Sequence, residues 1–261
     1  MWSLAKENGP KGDRRRSPTL GGRSLLYLGM ACLSVSMAAT AAGREGGFCA
    51  AEVKQARKTA QQIAQEWPLR GHDQVTDYVQ DLGMDLVRAA EDRSATWRFR
   101  VVRDYSVNAF SIGGGYIYVT EGAIRSAKTA DELAAILAHE IGHQIGGHFC
   151  TLSRDRGIWD PQTWFSARKG ERIGVGSITQ VIDVEKELAA DEIATRLLQT
   201  AGFDPYAMLR VTERLPLSQS ASHLKDHRRL RSLKRLLGHL APTAAEGSPE
   251  FDRMKLELGP A

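Results

Sequence analysis

Beyond its first 42 residues this 261-residue chain lacks net charge, long apolar runs and all but two cysteines. Each absence excludes something. The overall charge of +4 belongs to the leader, which holds six basic side chains (Lys6, Lys11, Arg14, Arg15, Arg16, Arg23) against Glu7 and Asp13. The remainder balances 29 basic with 29 acidic residues, so nothing electrostatic recommends nucleic acid as a partner. Without a second apolar run there is no second candidate membrane span. No repeat of solenoid length is visible either, which excludes a tandem-repeat array. A composition of 42% apolar and 25% charged residues is that of an ordinary globular domain.

What is there begins with an export signal. The basic stretch KGDRRRSPTLGGR precedes an apolar run ending in small residues such as Ala39-Thr40-Ala41, the pattern of a signal peptide over 1–42. The alternative is an uncleaved anchor, which would tie the protein to a membrane. Export would place the chain in an oxidising compartment, where the two remaining cysteines, Cys49 and Cys150, are a candidate disulfide.

The spacing of apolar residues predicts helices over 50–66, 73–91, 129–149, 181–201, 205–214 and 226–240. Strands are expected at 96–102 and 113–120, where alternation and β-branched or aromatic residues replace the helical period. Thr129 and Glu132 form a capping-box pattern at the start of the central helix. Residues 151–180 are irregular, and the tail 241–261 looks loose. The expectation is one α+β domain over 46–240, helix-dominated with a small sheet.

HEIGHQIGGHF, residues 139–149, carries the chemistry. Residues four apart on a helix share a face, so His139 and His143 point the same way and suit one zinc ion. Glu140 is the candidate base acting on water, in the pattern H-E-x-x-H. A third protein ligand is needed. The metzincin arrangement would place a histidine at 149, but Phe149 stands there and His148 is one residue out of register, a turn of about 100° on a helix. The other candidate is EKELAADEIATRLL, where Glu187 and Asp191 again share a helix face. Glu187 would complete a His₂Glu site, and Asp191 would accept the spare N–H of a ligand histidine.

Together these segments resemble the gluzincin zinc metallopeptidases of the HtpX, CAAX prenyl protease and BepA-like family. NAFSIGGGYIYVTEG (108–122) is similar to the family's NAFALPGG followed by a strand, although Gly113 stands where the family has proline. ELAADEIA (187–194) matches its E-x-x-A-D-x-x-A/G motif, and AGFDP (201–205) its aGydP. The resemblance implies zinc held by His139, His143 and Glu187, with Glu140 as catalytic base and Asp191 behind the ligands. It gives His148 no ligand role. A later HP…R motif survives only as SHLKDHRRL, which offers His223, with His227 as its rival, near the reacting carbonyl and Arg229 as a supporting residue. Asn108, Gly114, Gly115, Tyr116, Ile117 and Tyr118 are expected to bind an extended substrate backbone. The implied activity is endoproteolysis of unfolded or misassembled envelope proteins; the alternative is a latent, chaperone-like zinc protein.

Overall fold

The three-stranded sheet of the computed structural model is covered on one face by a single helix and on the other by two, one of which carries the H-E-x-x-H motif. Described are residues 44–45, 48–92, 96–152, 184–215, 226–240 and 247–259. The leader, residues 153–180 of the irregular stretch, and His223 lie outside them.

Two short strands, β1 (Arg44–Glu45) and β2 (Phe48–Cys49), pair antiparallel and run directly into α1 (Ala50–Glu66). Glu52, Ala56, Thr59 and Ile63 recur every three or four residues and form its buried stripe. Next, α2 (Gln74–Ala89) opens with a capping box: Asp73 accepts from the Val75 and Thr76 N–H groups, and Thr76 accepts from the Asp73 N–H. The sheet follows, in the order β3 (Arg98–Val102), β5 (Tyr116–Thr120), β4 (Ala109–Gly113). β5 is parallel to β3 and antiparallel to β4. Side chains alternate across it as the pleat requires. Val102, Phe110, Ile112 and Tyr118 meet Ala56 and Ile63 of α1. Phe99, Val101, Ile117 and Val119 join Val79 and Leu86 of α2 and Leu133, Leu137 and Ile141 of α4 (Ala130–Ile145).

Between β5 and α4 lies α3 (Glu121–Ser126), capped by Thr120. After α4 come α5 (His148–Leu152), α6 (Val184–Ala201), α7 (Tyr206–Arg214), α8 (His227–Leu237) and α9 (Pro249–Glu257). α6 is the most extensive packing partner of α4. Gly142 permits that approach, since a Cβ there would lie 2.7 Å from the Ala190 carbonyl oxygen.

Four sequence expectations change. The helix expected over 129–149 is interrupted at Gly146-Gly147, where Gly147 takes φ +69°, a conformation that favours glycine. Its capping box forms only by half. Thr129 accepts from the Glu132 N–H, but the Glu132 carboxylate turns to the Lys128 N–H and to Arg214. Strand β4 was not anticipated as separate from β5, because both its faces are buried and its polarity does not alternate. The tail is not loose over 249–257. Phe251, Met254 and Leu258 recur at helical spacing and are buried. Lys255 Nζ donates to the carbonyls of Arg125 (3.0 Å) and Ala127 (2.7 Å), and Arg125 donates to those of Leu258 and Gly259. Mostly polar composition concealed that short apolar stripe.

Candidate metal centre

His139 and His143 point from α4 toward α6, and their Nε2 atoms stand 3.1 Å apart. Glu187 in the first turn of α6 faces both, with Oε2 3.3 Å from His139 Nε2 and Oε1 3.2 Å from His143 Nε2. All three residues are buried, and their ligand atoms lie within 4.8 Å of one another. Glu140 is buried beside them, 2% exposed.

Behind this group stands a second layer of contacts. Asp191, one turn beyond Glu187, has Oδ1 2.9 Å from His139 Nδ1. Arg229 of α8 grips Asp191 through Nε (2.8 Å) and Nη2 (2.7 Å), while its Nη1 lies 2.8 Å from Glu187 Oε2. Burial alone would raise the Asp191 carboxyl, but Arg229 holds it below the ordinary carboxylate range. The guanidinium is itself raised, with Asp191 and Glu187 outweighing its burial. On the other side, His148 Nδ1 lies 2.9 Å from His143 Nδ1. Burial, with the neighbouring His143, pushes His148 down to about 4, so its ring is neutral at pH 7.

The donor set fits a divalent metal. Asp191 is an ionised acceptor, so the hydrogen of His139 sits on Nδ1 and its Nε2 lone pair faces the centre. Two nitrogens sharing one zinc at about 2.0–2.1 Å stand roughly 3.3 Å apart in tetrahedral geometry, close to the separation seen. Charge points the same way. Glu187 and Asp191 bring two buried carboxylates to the imidazoles, both in contact with Arg229, and Glu140 is buried beside them.

Other sequence candidates have different places. β5 is the middle strand, paired on both sides, so the backbone of Tyr116, Ile117 and Tyr118 has no edge to offer a substrate. The Gly114 N–H is taken by Glu52 (2.9 Å) and the Gly115 N–H by Gln144 (2.7 Å). The Asn108 backbone pairs with Thr120. The backbone of 114–118 is thus engaged within the domain, and the outer strands of the sheet are β3 and β4. Gly113 has φ +80°, which a proline ring forbids, and this accounts for the departure from the Pro-containing pattern. His227 is exposed at the start of α8. Cys49 and Cys150 stand at disulfide distance, Cα to Cα 5.7 Å. The contact of His148 with His143 was missed; the signal available was the glycine pair that lets the chain turn back.

The model of peptidase family M48 matches residues 73–237, a span that takes in α2, the sheet and every residue of this centre. The chain belongs to peptidase family M48. M48 peptidases depend on a metal, and His139, His143 and Glu187 are the group that could hold it. Among curated relatives, the β-barrel assembly-enhancing protease of Escherichia coli K12 is 27% identical over 214 residues, covering 70% of this chain and 43% of that one. A putative protease of the same name from Vibrio cholerae is 30% identical over 159 residues, covering 54% and 33%. The mitochondrial metalloendopeptidase OMA1 of Schizosaccharomyces pombe is 25% identical over 185 residues, covering 65% and 55%. The chain thus spans less than half the length of the assembly-enhancing proteases it matches.

Proposed function

We propose that this M48 chain is a zinc-dependent endopeptidase acting on unfolded or misassembled proteins of the cell envelope. The observation that carries the reading is the buried His139, His143 and Glu187 group with Glu140 beside it. Zinc bound there would supply Lewis acidity toward the scissile carbonyl and toward water. Glu140 takes the proton of the attacking water and passes it to the leaving amine. Asp191 holds His139 in the tautomer that presents Nε2, and Arg229 keeps Asp191 and Glu187 ionised and in place. An extended substrate pairs with β4, an outer strand, so recognition rests on backbone more than on sequence. That suits unfolded chains. The signal-like leader and the names of the assembly-enhancing relatives support a periplasmic location, with membrane association if the leader is retained.

The test is cleavage of casein by the purified chain and by Glu140→Gln. The expected result is loss of at least about 100-fold in turnover with zinc content unchanged. Equal cleavage by both forms would overturn the assignment. Zinc bound without cleavage by either form would favour a latent, chaperone-like protein.

A further inference from the structure

We infer that His148 is a positioning residue for the metal ligand His143, and that the Cys49–Cys150 pair anchors the turn that delivers it. The inference rests on the reading that His139, His143 and Glu187 hold a metal.

A ligand imidazole is useful only if its outer nitrogen is held, because that contact sets both tautomer and ring direction. On His139 the holder is Asp191. On His143 the atom in that place is His148 Nδ1, 2.9 Å from His143 Nδ1. His143 Nε2 faces His139 and Glu187, so its hydrogen belongs on Nδ1, and His148 Nδ1 is placed to accept it.

The local sequence is built for this contact. Gly147, at φ +69°, reverses the chain after α4. Gly146 leaves room for the ring: a Cβ there would lie 2.7 Å from His148 Nε2 and 3.1 Å from its Cδ2. His148 is 9% exposed, packed at the back of the site rather than turned to solvent. The residue that is out of register for a third ligand is in register to support the second.

α5 is five residues long and cannot hold its own position. Cys150, two residues past His148, stands at disulfide distance from Cys49 at the start of α1. Glu52, in the first turn of α1, has Oε2 3.1 Å from Cys150 Sγ, while its Oε1 accepts the Gly114 N–H. The anchor therefore ties α5 to α1 and to the β4–β5 turn.

The experiment measures zinc transfer from the full chain to a chromophoric chelator, alongside thermal unfolding of the zinc-free forms. His148→Ala is expected to weaken zinc retention about 10- to 100-fold. His148→Asn, whose side-chain amide offers an acceptor near the Nδ1 position, recovers most of that loss. Retention by His148→Ala equal to wild type, or an Asn variant as weak as Ala with intact folding, would overturn the positioning role. The Cys49→Ser/Cys150→Ser pair is expected to lose retention in the wild-type background and nothing more in His148→Ala. A full additional loss there would overturn the anchoring. A wild-type chain that takes up no zinc would instead overturn the metal-centre reading itself.

Discussion

His139 and His143 present the same nitrogen to the same point from one helix, yet they are backed in opposite ways. Behind His139 stands a carboxylate locked by a guanidinium, supplied by α6 and α8. Behind His143 stands a neutral imidazole on a five-residue turn. The first support is charged, buried and spread over three helices, so disturbing it disturbs the fold. The second is local, uncharged and reached through two glycines, so it can be altered with the core intact. One metal centre thus has a structural side and an adjustable side.

The largest effect is expected where the charged support is cut. Arg229→Met leaves Asp191 and Glu187 buried without their cation, and the zinc-free protein should lose about 3–5 kcal/mol of stability. Chemical unfolding in the presence of a chelator measures this. Added zinc should recover part of the loss by neutralising Glu187, and an unchanged unfolding midpoint would show that the net carries no such energy.

Next comes the adjustable side. Gly146→Ala puts a methyl group against His148 Nε2 and should displace that ring without touching Arg229. Zinc retention is expected to fall about 10-fold, with the stability of the zinc-free form within about 1 kcal/mol of wild type. Loss of stability as large as that of Arg229→Met would erase the contrast between the two sides.

The smallest effect is expected at an ion pair far from the metal. Glu132 opens α4, accepts the Lys128 N–H at 2.7 Å and pairs with Arg214 of α7. Although burial works against ionisation, Arg214 and the Lys128 N–H hold its carboxyl below the ordinary range. A lowered folded pKa contributes stability above the unfolded value, near 4.3, and loses it as pH falls below that. Glu132→Gln should therefore cost on the order of 1–2 kcal/mol at pH 7 and less at pH 3, by thermal unfolding. A cost independent of pH would mean that packing, not charge, matters there.

Much of this was legible beforehand because it depends on short-range periodicity. Four-residue spacing puts His139 with His143 and Glu187 with Asp191 whatever the helices pack against. The apolar stripe of α2 is equally local. β4 escaped notice because a strand buried on both faces has no alternation to show. The α9 stripe escaped because three apolar residues among charges weigh little until α2 and α3 are seen to receive them.

By itself the sequence determined which residues share a helix face and which side chains are chemically able to bind a metal. The backbone geometry that decides those matters spans only a few residues. Only the tertiary structure decided that Glu187 meets His139 and His143 across two helices, that Arg229 spans Glu187 and Asp191, that β5 is the middle strand, and that His148 turns back onto His143. Those contacts depend on how closely separate elements approach, and a missing Cβ at Gly142 or Gly146 sets that distance only once its neighbour is in place.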